Sequence, residues 1–108
     1  MPLEQIDTAR FADLVASEPA LIVDFYADWC GPCKAIAPQV EALAARFPTV
    51  TTVKVDVNEE QVLADAFRIR FMPTFVVFRK GKEVARVEGT AMQAIEMAFE
   101  KAAAAAQE

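Results

Sequence analysis

The chain has 108 residues, of which 55% are hydrophobic and 25% charged, a composition typical of a globular protein rather than a disordered one. This length suits one domain, so we expect a single domain over residues 1–108. The net charge of −5 repels phosphate backbones, and the absence of histidine excludes hydrolases that need an imidazole base. We therefore expect no nucleic-acid partner.

No apolar run in the sequence is long enough to cross a bilayer, so we expect no membrane partner. The first residues, MPLEQIDTAR, lack the positive segment and apolar core of a secretory signal. A removed presequence would leave no trace in this sequence. We expect a reducing, cytoplasmic-type compartment and a monomeric protein.

The first predicted element is a short edge strand around Leu3 and Ile6. A first helix is predicted over 8–17, capped by Asp7 or Thr8, because either side chain can accept a hydrogen bond from a free N–H of the first turn.

Two apolar runs flank a helical segment. The runs ALIVDFYAD (20–28) and VTTVKVDV (50–57) resemble strands that are covered on both faces by helices. Between them, apolar residues recur at helical spacing at Ile36, Val40, Leu43, Ala44 and Phe47. This strand–helix–strand unit favours a parallel pair of strands with a right-handed crossover.

Two more helices are predicted in the second half of the chain. The first covers 58–67, with Asn58 as its N-cap residue. The second is alanine-rich, starts near residue 91 and is expected to fray into a tail over 102–108. Both helices follow segments with strong β propensity.

A β-hairpin lies between these two helices. The β-rich runs TFVVFRK (74–80) and EVARVEG (83–89) are joined through residues 80–82, and so short a link makes the strands antiparallel. The complete order of elements is β-α-β-α-β-α-β-β-α. This order predicts the α/β class, with a single mixed β-sheet flanked by helices on both faces.

The stretch DWCGPCK (28–34) contains both cysteines and the one tryptophan of the chain. Cys30 and Cys33 could form a structural disulfide, part of a metal site or a redox couple. A disulfide that closes so short a loop contributes only about 2 kcal/mol, and thiols in a reducing compartment stay mostly reduced. Two cysteines alone do not complete a tetrahedral zinc site, although two chains could share one.

The place of Cys30 at the predicted start of a helix favours the redox couple. Pro32 suits the first helical position, where its missing N–H removes no hydrogen bond. The N–H groups and the dipole of the helix would stabilise a thiolate at Cys30, which makes this sulfur a nucleophile. Cys33 follows within one helical turn, close enough to form a disulfide with Cys30.

Five segments resemble the thioredoxin family in their order and spacing, over nearly all of residues 3–101. They are VDFYADWCGPCKAIAP, KVDVN, MPTFVVF, GKEV and VEG, at 23–38, 54–58, 72–78, 81–84 and 87–89. The resemblance implies a thioredoxin fold and a protein disulfide reductase in which Cys30 attacks a substrate disulfide and Cys33 resolves the mixed disulfide. It also implies disulfide-containing protein substrates, no bound cofactor, and electrons from NADPH through a thioredoxin reductase.

Asp24 lies in the middle of an apolar strand, where an isolated carboxylate tends to keep its proton. Such an acid titrates near neutral pH unless it forms a structural salt bridge, for which Lys54 on the neighbouring strand is the candidate. By the resemblance, Asp24 accepts the proton of Cys33, directly or through water, and Lys54 tunes Asp24.

The resemblance also implies that the Met72–Pro73 peptide bond is cis and faces the cysteines. The Met72 backbone would then be free to pair with an extended substrate segment. The expected docking surface around Cys30 is flat and apolar and consists of Met72, Pro73, Trp29, Gly31, Pro32 and Gly89. The alternative for Trp29 is an ordinary core position.

Two positions depart from the commonest thioredoxin pattern. Tyr26 replaces a frequent tryptophan, and Phe71 occupies a place beside the groove that a small residue usually holds. We expect neither to touch the cysteine chemistry, but Phe71 leaves the choice of partner open.

Overall fold

The computed structural model describes residues 2–107, which form a five-stranded sheet and four helices. In chain order, the elements are β1 (Glu4–Gln5), α1 (Thr8–Ser17), β2 (Ala20–Tyr26), α2 (Gly31–Arg46), β3 (Thr51–Asp56), α3 (Gln61–Ala66), β4 (Thr74–Arg79), β5 (Lys82–Glu88) and α4 (Met92–Ala105). The predicted order of strands and helices is confirmed. Within these residues, none of the helices combines the length and the apolar character needed to cross a membrane.

The strands lie in the order β1-β3-β2-β4-β5 across the sheet. β3 pairs in parallel with β1 and with β2, the pair that the sequence predicts. β4 runs antiparallel to β2 and to β5, so the antiparallel part of the sheet starts at its centre and not only at the hairpin. The hairpin turns through Lys80 and Gly81, whose φ angles of 49° and 84° are the positive values that a tight two-residue link requires.

β2 is apolar along its length because helices cover both faces of the sheet. Alternate residues of a strand point to opposite faces. Leu21, Val23 and Phe25 pack with residues of α1 and α3 on one face. Ala20 and Ile22 pack with residues of α2 and α4 on the other face.

The starts of the helices confirm one predicted cap and correct another. Asp7 caps α1, and its Oδ1 accepts a hydrogen bond from the Arg10 N–H at 2.8 Å. The prediction that Asn58 caps the next short helix is wrong, because α3 begins only at Gln61. The N–H of Asn58 instead donates to Asp56 Oδ1 at 2.8 Å, which closes a turn onto the end of β3.

The last helix is longer than predicted. The prediction of a frayed tail from residue 102 is wrong, since α4 continues to Ala105. Ala102 and Ala105 are buried, with 0% and 6% of their surface exposed. Alanine has the highest helix propensity, and its small side chain lets the end of α4 approach the sheet closely. The two ends of the predicted domain, Met1 and Glu108, lie outside the described residues.

Candidate active site at the start of helix α2

The two cysteines lie where β2 gives way to α2. Cys30 is the N-cap residue of α2, with an extended backbone, and Cys33 lies in the first turn. They form a disulfide with a Cα–Cα distance of 5.3 Å. Gly31 is the first helical residue, so Pro32 occupies the second helical position rather than the predicted first one. The N–H at that position also lacks an intrahelical partner, so Pro32 still removes no helix hydrogen bond.

The backbone at the start of α2 is directed at the sulfur of Cys30. The N–H of Cys33 donates a hydrogen bond to Cys30 Sγ at 3.1 Å. A thiolate accepts such a bond more strongly than a neutral sulfur, and it lies at the positive end of the helix dipole. This position therefore favours the ionised form of Cys30 once the disulfide is reduced.

Both cysteines are shielded in the disulfide form. Cys30 is 4% exposed and Cys33 is 8% exposed. The pair packs with Ala27, and partly buried Tyr26 and Met72 cover this cluster. Exposure therefore does not distinguish the two sulfurs, and their neighbours must do so.

The loop before β4 lies against Cys30. The Met72–Pro73 peptide bond is cis, as the resemblance implies. The Met72 carbonyl oxygen lies 3.6 Å from Cys30 Sγ. Gly89, with a φ of 101°, donates its N–H to the Pro73 carbonyl oxygen at 2.8 Å. The structure therefore brings Met72, Pro73 and Gly89 to the side of the molecule that carries Cys30.

Large apolar side chains next to this loop and to the disulfide are exposed. Trp29 is 67% exposed and Phe71 is 59% exposed, and Gly31 and Pro32 also face the solvent. The alternative of a core position for Trp29 is therefore wrong. Phe71 directly precedes Met72, so it borders the predicted docking surface.

Cys33 borders a pocket of about 160 Å³ formed by residues of β2, β3 and α2. The pocket is lined by Asp24, Tyr26, Ala27, Asp28, Cys33, Lys34, Ala37 and Lys54. Asp24 and Cys33, the predicted acceptor and donor of a proton, thus share one cavity. Cys30 is absent from this lining, so the two sulfurs of the disulfide meet different groups.

The carboxyl group of Asp24 is largely removed from water. Its Oδ1 is buried and has no hydrogen-bond partner within residues 2–107. Burial raises the pKa of Asp24 to about 7, and the positive charge of Lys54 acts in the opposite direction. Asp24 and Lys54 are register neighbours on β2 and β3, but the Lys54 ammonium lies over the Tyr26 ring, 5.1 Å from its centre. Asp24 therefore fits a titrating acid better than a salt-bridged structural one.

Comparison with known proteins decides among the interpretations of the cysteine pair. The family model described as Thioredoxin matches residues 2–101. The chain belongs to the thioredoxin family. It is 44% identical over 87 residues to a thioredoxin from Chlamydia trachomatis, which covers 81% of this chain and 84% of that protein. It is 42% identical over 96 residues to thioredoxin-1 from Saccharomyces cerevisiae, with 88% of this chain and 93% of that protein covered.

Solved thioredoxins have the same fold. A thioredoxin structure from Plasmodium falciparum matches this chain with a TM-score of 0.89 at 34% identity, covering 92% of this chain and 98% of that one. The predicted thioredoxin fold is confirmed. The predicted activity is confirmed as well: the chain is a thioredoxin-type protein-disulfide oxidoreductase. It works through the redox-active Cys30–Cys33 pair and depends on an external reductase.

The metal-site interpretation of the cysteine pair finds no support in this thioredoxin. In the part of the chain that the structure describes, no three His, Cys, Asp or Glu side chains are grouped so that they could hold a metal ion. A purely structural disulfide does not account for the family match. The match to the thioredoxin family supports the redox couple.

Two residues of this thioredoxin lie near the site although the sequence analysis assigned them no part in it. Tyr26, which is expected to lie apart from the cysteine chemistry, lines the pocket together with Asp24 and Cys33. Its hydroxyl donates a hydrogen bond to Gln5 Oε1 at 2.7 Å. The departure of Tyr26 from the family pattern was the one available signal, and no local pattern links Gln5 to the end of β2.

Proposed function

We propose that this thioredoxin reduces disulfides in other proteins, with Cys30 as the nucleophile and Cys33 as the resolving cysteine. The observation that carries this assignment is the hydrogen bond from the Cys33 N–H to Cys30 Sγ at the start of α2. It supports a thiolate at Cys30 in the reduced protein. Cys33 shares its pocket with the Asp24 carboxyl, which supports a proton-coupled second step at that sulfur.

The reaction moves an electron pair from the two cysteines to the substrate. The Cys30 thiolate attacks one sulfur of the substrate disulfide, whose S–S bond breaks, and the other substrate sulfur leaves as a thiolate and takes up a proton. Deprotonated Cys33 then attacks Cys30 Sγ in the mixed disulfide, and the second substrate sulfur leaves in the same way. The products are a substrate dithiol and the Cys30–Cys33 disulfide.

Asp24 is proposed to take the proton of Cys33. With a pKa of about 7, Asp24 is present in both protonation states near neutral pH, so it can accept this proton and later return it. The pocket of about 160 Å³ leaves room for a bridging water, which needs about 10–15 Å³. Lys54 is proposed to tune Asp24 through its charge.

The surface around Cys30 is proposed to bind an extended segment of the substrate. The Met72 backbone would pair with this segment as with a short added strand, and Trp29 would supply apolar contact area. The distance of 3.6 Å between the Met72 carbonyl oxygen and Cys30 Sγ supports this placement. The other proposed members of the docking surface are Gly31, Pro32, Pro73 and Gly89.

The proposed electron donor is NADPH, acting through a thioredoxin reductase, with no cofactor bound to the chain itself. Membership of the thioredoxin family supports this donor. The chain is proposed to act as a monomer in a reducing, cytoplasmic-type compartment, where the donor keeps the pair reduced. Its net charge of −5 supports protein partners rather than nucleic acid, and no membrane partner is proposed.

An insulin reduction assay tests this function. The protein, NADPH and a thioredoxin reductase are mixed with insulin, and the consumption of NADPH is followed. We expect consumption that requires both the reductase and this protein and that is lost in Cys30→Ser. If dithiothreitol replaces the reductase and NADPH and the protein does not accelerate insulin reduction over dithiothreitol alone, the proposed function is wrong.

Equilibration with glutathione tests the direction of electron flow. A reductase must be oxidised more readily than glutathione, and each 30 mV of difference in potential corresponds to about 1.4 kcal/mol, or a tenfold change in the equilibrium constant. We expect the Cys30–Cys33 pair to become oxidised at low ratios of glutathione disulfide to glutathione. A pair that stays reduced at equal concentrations would instead indicate an oxidase or isomerase of the same fold.

A further inference from the structure

Four polar side chains project from one face of the sheet near the Cys33 pocket. Gln5, Lys54 and Asp24 are register neighbours on β1, β3 and β2, and such neighbours project from the same face. Tyr26 follows Asp24 by two positions on β2, so its side chain leaves from this face as well. Three of the four, Tyr26, Asp24 and Lys54, line the pocket together with Cys33.

Tyr26 contacts two of these neighbours through different parts of its side chain. Its hydroxyl donates to Gln5 Oε1 at 2.7 Å. Its ring lies under the Lys54 ammonium, with Nζ 5.1 Å from the ring centre, within the range of a cation–π interaction. The hydrogen bond to β1 therefore braces the ring, and the ring gives a long, flexible lysine side chain one preferred position.

The Tyr26 phenol remains a hydrogen-bond donor at neutral pH. Burial raises the pKa of Tyr26 to about 12, and nearby carboxylates add to the effect, so the phenol stays protonated and continues to donate to Gln5. These carboxylates belong to Asp28, Asp56, Asp24 and Glu59. Asp28 lines the same pocket as Lys54, so it is a second carboxylate near the Lys54 ammonium. Lys34 on α2 is the second cation that lines the pocket.

We propose that Tyr26 is a positioning residue: braced by Gln5, its ring keeps the Lys54 ammonium in the pocket that Asp24 and Cys33 line, and so sets the pH range over which Asp24 accepts the proton of Cys33. This inference rests on the proposed function of Asp24 and extends it. Without the ring, the ammonium moves towards water and the Asp28 carboxylate. The positive charge of Lys54 then lowers the pKa of Asp24 less than before, so this pKa rises further.

A titration of Asp24 in the oxidised protein tests the inference, because the cysteines of a disulfide do not titrate. The carboxyl carbon resonance of Asp24 is followed by NMR as a function of pH. Lys54→Met removes the charge and should raise the pKa of Asp24 by about one pH unit. Tyr26→Leu should raise it by about half a pH unit, a roughly threefold change in the ratio of ionised to protonated Asp24.

A matched variant separates the ring from the fold. Tyr26→Trp keeps an aromatic face for the ammonium and should leave the pKa of Asp24 near its original value. Tyr26→Phe and Gln5→Leu remove only the bracing hydrogen bond and should cause smaller upward shifts than Tyr26→Leu. These milder variants keep the test decisive if Tyr26→Leu does not fold.

The double variant distinguishes positioning from a general structural effect. In the Lys54→Met protein, Tyr26→Leu should cause no further rise, because the charge that it positions is already gone. An equal rise in both backgrounds, an unchanged pKa of Asp24 in Tyr26→Leu, or a downward shift would overturn the inference. These titrations do not depend on turnover, so failure of the proposed Asp24 chemistry, seen as normal turnover of Asp24→Asn, is recognised separately.

Discussion

The two sulfurs of the active-site disulfide have different surroundings although they lie within one helical turn. Cys30 accepts the backbone N–H of Cys33, lies 3.6 Å from the Met72 carbonyl oxygen, and adjoins the exposed Trp29. Cys33 instead borders a pocket that holds the Asp24 carboxyl. The first turn of α2 places one sulfur beside the proposed docking surface and the other beside the pocket at the sheet.

This difference separates two ways of controlling a thiol. At Cys30, fixed backbone dipoles stabilise negative charge, and these dipoles do not titrate. At Cys33, the neighbouring Asp24 has a pKa of about 7, so its charge changes within the physiological pH range. Attack by the first sulfur and release by the second should therefore respond differently to pH.

Replacing the cysteines one at a time should have the largest effect and should show most directly that the two sulfurs have different roles. Cys30→Ser should abolish insulin reduction and capture no substrate, because the nucleophile is lost. Cys33→Ser should also stop turnover but should accumulate stable mixed disulfides at Cys30. Mass spectrometry after incubation with insulin distinguishes these outcomes, and mixed disulfides at Cys33 in the Cys30→Ser protein would reverse the two assignments.

Burial of Asp24 should make the stability of the oxidised protein depend on pH. The pKa of this acid is raised from 3.8 to about 7 in the folded protein, so the folded state binds the proton more tightly than the unfolded state. The contribution of this group is therefore fully present below the unfolded pKa and is lost as the pH rises towards 7, by an amount on the order of 4 kcal/mol. Urea unfolding across this range measures it.

The matched variant for this measurement is Asp24→Asn, in which the fall of the unfolding free energy between acidic and neutral pH should be much smaller. Asp65→Asn, which changes an exposed acid on α3, should leave the fall as it is. The same fall in all three proteins would show that Asp24 is not the group responsible.

Asp24→Asn should also slow turnover, with a smaller effect on binding. Loss of a general base typically lowers the rate by about 10²-fold or more, and the deficit should lie in the release step at Cys33. Single-turnover kinetics can follow formation and decay of the mixed disulfide separately. Normal decay of the mixed disulfide in this variant would remove Asp24 from the reaction.

On the Cys30 side, Trp29→Ala should weaken the binding of protein substrates without affecting the fold. We expect KM for insulin to rise about tenfold, equivalent to about 1.4 kcal/mol, as for a central aromatic contact residue. A small disulfide reagent should be affected much less. The control is Met97→Ala, which changes a side chain on α4 that is similarly exposed, at 61% against 67% for Trp29. It should change the KM for neither substrate. If Trp29→Ala raised the KM for insulin and for the small reagent equally, a docking role for Trp29 would be contradicted.

Two glycines near Cys30 should differ in how much a substitution by alanine destabilises the fold. An added Cβ would meet open space at both Gly89 and Gly31, but only Gly89 of the two has a positive φ, at 101°. Gly89→Ala should therefore lower the unfolding free energy by roughly 1–2 kcal/mol through backbone strain. Gly31→Ala should change it by less than about 0.5 kcal/mol. Equal losses measured by urea unfolding would contradict backbone strain as the cause.

Local patterns predicted most of the fold and the reacting atoms. The apolar run of β2 and the spacing of Cys30 and Cys33 are short-range features, and the structure contains both as predicted. The start of α3 and the end of α4 were mispredicted, because both depend on contacts. The Asn58 N–H is used by Asp56 at the end of β3, and Ala102 and Ala105 are held in the helix by burial.

The sequence by itself determined the order of the elements and the pair of sulfurs that react, because periodicity and spacing act over one or two helical turns. Only the tertiary structure decided what each sulfur meets. It placed Met72 against Cys30, and it joined Gln5 to Tyr26, which lie 21 residues apart in the chain. Such contacts form when strands pair and helices cover them, so the charges that lie near Cys33 depend on the packed sheet rather than on any single segment.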